Sequence, residues 1–95
     1  MTERMMTLHP EGKQGVNIDR DKYEAVRNAI VDSLQENGEM TFRGLASSVE
    51  RKLDDFDGSP MWYTTTVKLD LEARGVIERL PGGASQRVRL SPTER

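Results

Sequence analysis

The chain has 95 residues, no cysteine, and fourteen basic against sixteen acidic side chains, for a formal net charge of -2. That size fits one domain with a modest core, and the lack of cysteine excludes disulfides, thiolate metal sites and covalent haem attachment. No stretch reaches the roughly 18 apolar residues that cross a bilayer, and Met1 to Arg4 lead into no secretory signal, so a cytoplasmic protein without membrane contact is expected.

Residues 1–15 show no hydrophobic period and contain Pro10, Gly12 and Gly15; they read as a flexible N-terminal arm. His9 stands there without partners and is expected to be solvent-exposed, with no metal or catalytic role. The folded domain is expected over 16–91, with a short polar tail at 92–95.

Tyr23, Val26, Ile30 and Leu34 recur at helical spacing, widened by Ala29 and Val31, and predict a first helix. Asp19 or Asp21 can cap its start, with Glu24 at capping-box distance from Asp21, and Asn37-Gly38 stops it. Glu39 to Thr41 is a short extended link. Thr41 can cap a second helix, whose apolar positions are Phe42, Leu45, Ala46, Val49 and Leu53. Gly44 costs that helix about 1 kcal/mol relative to alanine and leaves room for a second helix to approach closely. Asp54 to Gly58 form a turn whose clustered acids lack the spacing of a calcium loop and read as solvated.

Ser59-Pro60 is the clearest start signal in the chain, a serine cap followed by proline at the first helical position. The third helix runs from Pro60 to about Arg74 and stops at Gly75. Val67 and Leu71, extended by Tyr63 or Thr64, form one apolar stripe; Trp62, Thr66, Leu69 and Ala73 form another. One core-facing side does not need both, so this helix is either sandwiched or partly exposed to a partner. Val76–Leu80 and Gln86–Leu90 then read as two strands joined by the loop 81–85, with Arg87 and Arg89 alternating against Val88 and Leu90. Gly82-Gly83 sits at the hairpin tip and lacks the helix and lysine of a phosphate loop.

The order helix, helix, helix, hairpin predicts an α/β domain of the α+β kind, a three-helix core with a C-terminal β-hairpin. The run Leu71-Glu72-Ala73-Arg74-Gly75-Val76-Ile77-Glu78-Arg79 resembles the junction of recognition helix and wing in winged helix-turn-helix proteins, as in MarR-like and PadR-like bacterial regulators. The resemblance spans about Asp19 to Leu90. The whole chain also resembles a small bacterial family of stand-alone winged-helix domains. Two features depart from the regulators: the link between the second and third helices is longer and acidic, and no dimerisation helices flank the domain.

The resemblance implies a DNA-binding protein and transcriptional regulator, with double-stranded DNA as partner. Tyr63, Thr65, Thr66 and Lys68 on the third helix would read bases, and Arg43, Arg79, Arg87 and Arg89 would contact phosphates. The charge distribution agrees, because the acidic excess lies in residues 19–58 and the arginine excess after residue 75. Against it stand few basic side chains for the 6 to 10 phosphate contacts common in such complexes, and repulsion from Asp70 and the 54–57 acids. The alternative is a protein-interaction or self-association module, a homodimer or a protein-bound domain, using Trp62, Tyr63 and Leu69 as an exposed patch. No cofactor and no enzymatic activity are expected.

Overall fold

The computed structural model describes residues 3–81 and 86–92. Its elements run β1 (Arg4–Met6), β2 (Asn17–Asp19), α1 (Arg20–Asn37), β3 (Met40–Thr41), α2 (Phe42–Lys52), α3 (Pro60–Ala73), β4 (Ile77–Leu80) and β5 (Arg87–Leu90).

Each helix starts on a side-chain cap, which satisfies backbone donors that have no partner within the helix. For α1 the cap is Asp19, which accepts the Asp21 N–H at 2.9 Å. Glu24 closes no capping box there; it pairs with Arg20 one turn back at 3.2 Å. Thr41 caps α2 through the Gly44 N–H, and Ser59 caps α3 through the Trp62 N–H. The atoms nearest a side chain built at Gly44 are Thr41 Oγ1 and the Met40 methyl. No second helix approaches there, and that expectation is corrected. At the far end of α3, Gly75 takes a φ of 79°. The Gly75 N–H reaches Glu72 O and the Val76 N–H reaches Leu71 O at 2.9 Å, the paired bonds of a Schellman stop.

The core follows from the stripes. Val26, Ile30 and Leu34 of α1 meet Leu45 and Val49 of α2 and Val67 and Leu71 of α3, all essentially without solvent contact. Ile77 and Val88 close the layer from the hairpin side. Burial of such a side chain contributes about 1.5–3 kcal/mol. Ser33 and Ser48 bridge α1 and α2 inside this core through a 2.7 Å hydroxyl contact.

The hairpin carries a third strand. β3, expected only as an extended link, pairs antiparallel with β5, which pairs antiparallel with β4, giving the order β3-β5-β4. Val88 is the shared position, opposite Met40 on one side and Arg79 on the other. Arg87 and Arg89 are exposed while Val88 and Leu90 are buried, the alternation the sequence requires. Three helices with this C-terminal sheet form a winged-helix-type architecture. The loop residues 82–85 and the tail residues 93–95 lie outside the described residues.

The N-terminal segment differs from expectation. β1 pairs with β2 in a second antiparallel sheet, and the contact continues through Thr7 N–H to Val16 O at 2.8 Å and Val16 N–H to Thr7 Oγ1 at 2.9 Å. A Cβ at Gly15 would collide with the Thr7 carbonyl, so only glycine permits this approach. Ile18 is buried in the main core and Met5 packs against it. The segment is therefore not a free arm: apolar burial and a polar anchor, Leu8 N–H to Asp70 at 2.8 Å, hold it. Among the described residues, no helix is long and apolar enough to cross a membrane.

Candidate functional site at the third helix and wing

α3 divides into a buried face and an outer face. Thr64, Val67, Lys68, Asp70 and Leu71 are buried. Lys68, expected to read bases, is only 4% exposed. Its ammonium lies 2.7 Å from Glu72 one turn on and 5.5 Å from the centre of the Phe42 ring. A lysine held by a carboxylate and an aromatic face cannot also reach a groove, and its expected role is corrected. Asp70, expected to repel a DNA backbone, has no solvent exposure, and its charge is met by Arg74. It binds Arg74 at 2.9 Å, the Leu8 N–H and the Tyr23 hydroxyl.

Tyr23 carries the largest titration effect at this network. Burial, then its hydrogen bond to Asp70 and that carboxylate's charge, push its pKa up to about 12, while Arg74 and Arg27 pull it down. The native state therefore favours the neutral phenol. Its contribution to stability is whole below pH 10 and drains away as pH rises through about 12. Unfolding followed across that window is expected to show a steeper loss of stability in the parent than in Tyr23→Phe; parallel curves would rule the phenol out as the source.

The outer face of α3 is apolar where a DNA reader would place polar donors. Met61 is 54% and Trp62 46% exposed, while Leu69 and Thr66 are half-buried. Thr65 is exposed, but its hydroxyl donates back to Met61 O at 2.9 Å. Tyr63 is half-buried and stands edge-on between Phe56 and Trp62, with ring centres 5.0 and 4.9 Å away. Lys22 of α1 lies over the Phe56 and Tyr63 rings and pairs with Asp57. Phe56 and Asp57 thus fold the loop against the start of α3 and against α1, while Asp54 and Asp55 are exposed. Between α2 and α3 a shallow recess of about 120 Å³ is lined by Arg43, Ala46, Ser47, Glu50, Pro60 and Met61.

The wing arginines are exposed, and each already has a carboxylate. Arg79 meets Glu72 at 3.0 Å, Arg87 meets Glu39 at 3.4 Å and Arg89 meets Glu78 at 2.6 Å. Only Arg43 of the expected phosphate contacts is exposed and without an ion pair among the described residues. The structure does bring Arg43 and the wing together: Thr41, Phe42, Arg43 and Gln86 line one polar depression, and Phe42 N–H bonds Gln86 O. Lys68 leaves this group, and Tyr63 belongs to the aromatic ladder.

Sequence reasoning missed the inward turn of Lys68 and Asp70 on α3, although the signal was present: Lys68–Glu72 and Asp70–Arg74 are both i,i+4 pairs of opposite sign. It also missed the role of Phe56, a single aromatic inside an acidic loop.

A family model described as "Family of unknown function (DUF6958)" matches residues 4–88. No curated protein and no solved structure matches the chain.

Proposed function

We propose that this chain, which belongs to the family of unknown function DUF6958, is a winged-helix interaction module that docks a positively charged polypeptide on the α2–α3 corner. The observation that carries this reading is the exposed Met61–Trp62 pair at the start of α3, in the position where a DNA-reading helix needs hydrogen-bonding side chains. Large apolar residues with a polar rim are the anatomy of a protein-binding hot spot; Glu50 and Arg43 line the recess, and the loop from α2 to α3 adds exposed Asp54, Asp55 and Asp57, the last paired with Lys22. A partner offering an aliphatic side chain for the recess and basic residues around it has complementary charge. In this reading the domain is not catalytic.

DNA binding is the second reading, favoured by one observation: Arg43, Arg87 and Arg89 lie exposed around the α2 start and the wing. Their ion pairs sit at the surface, where such pairs contribute about 0–1 kcal/mol, so phosphates could displace the carboxylates.

Trp62 is the only tryptophan, so its emission separates the two readings. A short peptide carrying leucine among lysines and arginines is expected to shift that emission to the blue, and an acidic counterpart is not. Neutralising the rim with Asp54→Asn and Asp55→Asn should weaken the peptide complex. Trp62→Ala, followed by a labelled peptide, should cost at least about 2 kcal/mol, roughly thirtyfold in affinity. Duplex DNA at about 50 mM salt, bound equally well by Trp62→Ala but not by the Arg87→Ala/Arg89→Ala double variant, would replace the first reading with the second.

A further inference from the structure

The opposite end of α3 carries a different chemistry. A recess of about 340 Å³ lies between α1, β1 and the end of α3, and three arginines line it: Arg20, Arg27 and Arg74, together with Tyr23, Asn28 and Glu24. Three guanidiniums meet here, and the carboxylates of Glu3, Glu24 and Asp70 answer two of them. The three guanidiniums are not equally free. Arg20 is held by Glu24 at 3.2 Å and by Glu3 at 3.6 Å. Arg74 is committed to Asp70, but through Nε, which leaves its terminal nitrogens outside that bond. Arg27 is half-buried and has no carboxylate partner among the described residues. Arg27 is thus the one guanidinium of the three without a carboxylate partner among the described residues, and it lines the recess beside a second guanidinium, a phenol and an exposed amide. Guanidiniums present planar, fixed donors suited to oxyanions and bind them in bidentate fashion.

We propose that the Arg27–Arg74 recess is a binding site for a small dianionic oxyanion of the phosphate-monoester class, with Arg27 as the primary contact, Arg74 as the second guanidinium and Asn28 as a neutral donor at the mouth. The recess is concave and lies at the Arg74 end of α3, about 18 Å along the helix from Trp62 at 1.5 Å per residue. It is independent of the polypeptide-docking surface, and either can fail without the other.

The test follows the arginine Nε–H and Asn28 amide signals by NMR while inorganic phosphate, phosphoserine, acetate or a short duplex is added at constant ionic strength. Phosphate and phosphoserine are expected to move the Arg27 and Arg74 signals saturably. Arg27→Gln, which removes no structural bond, should weaken that binding at least tenfold while leaving the thermal midpoint and the Leu8 amide signal unchanged. Arg27→Lys should recover part of the affinity. Shifts that grow linearly without saturation, or that Arg27→Gln leaves in place, overturn the site. Acetate binding as tightly as phosphate overturns the dianion assignment, and duplex DNA displacing phosphate from the same signals overturns the small-ligand assignment.

Discussion

Asp70→Ala is expected to lower the unfolding free energy by about 2–5 kcal/mol, mainly because the buried Tyr23 hydroxyl and the part-buried Leu8 N–H lose their acceptor, at about 1–3 kcal/mol each. Asp70 has no solvent exposure and accepts from three directions: the Leu8 N–H of the N-terminal segment, the Tyr23 hydroxyl of α1 and the guanidinium of Arg74 at the end of α3. Alanine removes the acceptor and leaves all three donors behind. Tyr23→Phe takes away one donor and leaves the carboxylate with two, so its loss should be nearer 1 kcal/mol. Against a total of about 5–15 kcal/mol for a domain, the first change is severe and the second is not. Urea unfolding gives the comparison, and amide exchange at Thr7, Leu8 and Val16 gives its location. An Asp70→Ala variant with a parental midpoint and protected Thr7 and Val16 amides would show that apolar burial alone fixes the segment.

Glu72→Ala should be comparably damaging, by about 3–5 kcal/mol, although glutamate is an ordinary surface residue of helices. Its side chain is 7% exposed and neutralises two cations, Lys68 at 2.7 Å and Arg79 at 3.0 Å. Without it Arg79 returns to solvent, but Lys68 is left at 4% exposure with only the Phe42 ring for company. Lys68→Ala should cost less, because Glu72 keeps Arg79. Replacing both by methionine should come close to the parent, since a buried pair is often matched by apolar residues of similar volume. The ordering Glu72→Ala worst, Lys68→Ala milder, double methionine mildest is the measurable signature. If Lys68→Ala proves the worse of the two, the lysine reaches water easily and the groove-reading role regains its basis.

The helices were legible because their signals are local. Asp19, Thr41 and Ser59 cap where they stand, and Gly38 and Gly75 stop helices at positive φ. The alternation of Val88 and Leu90 against Arg87 and Arg89 is likewise a matter of neighbours. What escaped was non-local. Met40 and Thr41 are too short a run to announce a strand, and only β5 makes them one. Residues 3–16 show no alternation because their anchor is a carboxylate on α3. The candidate site was legible in part: the second stripe of α3 does leave Trp62 in solvent, while the inward turn of Lys68 depends on the depth of the whole helix in the core. Periodicity places a residue on a face; it does not say whether the wing and α2 then cover that face.

The bond from Leu8 to Asp70 spans 62 positions, and it has a temporal meaning. The N-terminal segment leaves the ribosome before α3, so its anchor is absent until α3 has emerged. Native contacts of such sequence separation form late and slow the search for the fold. Until then Met6, Leu8 and Val16, which remain exposed even in the finished domain, are open to any apolar surface on the nascent chain's route. A segment translated before α3 is thus secured only after it, and removing that segment would expose a carboxylate that the rest of the domain was built to bury.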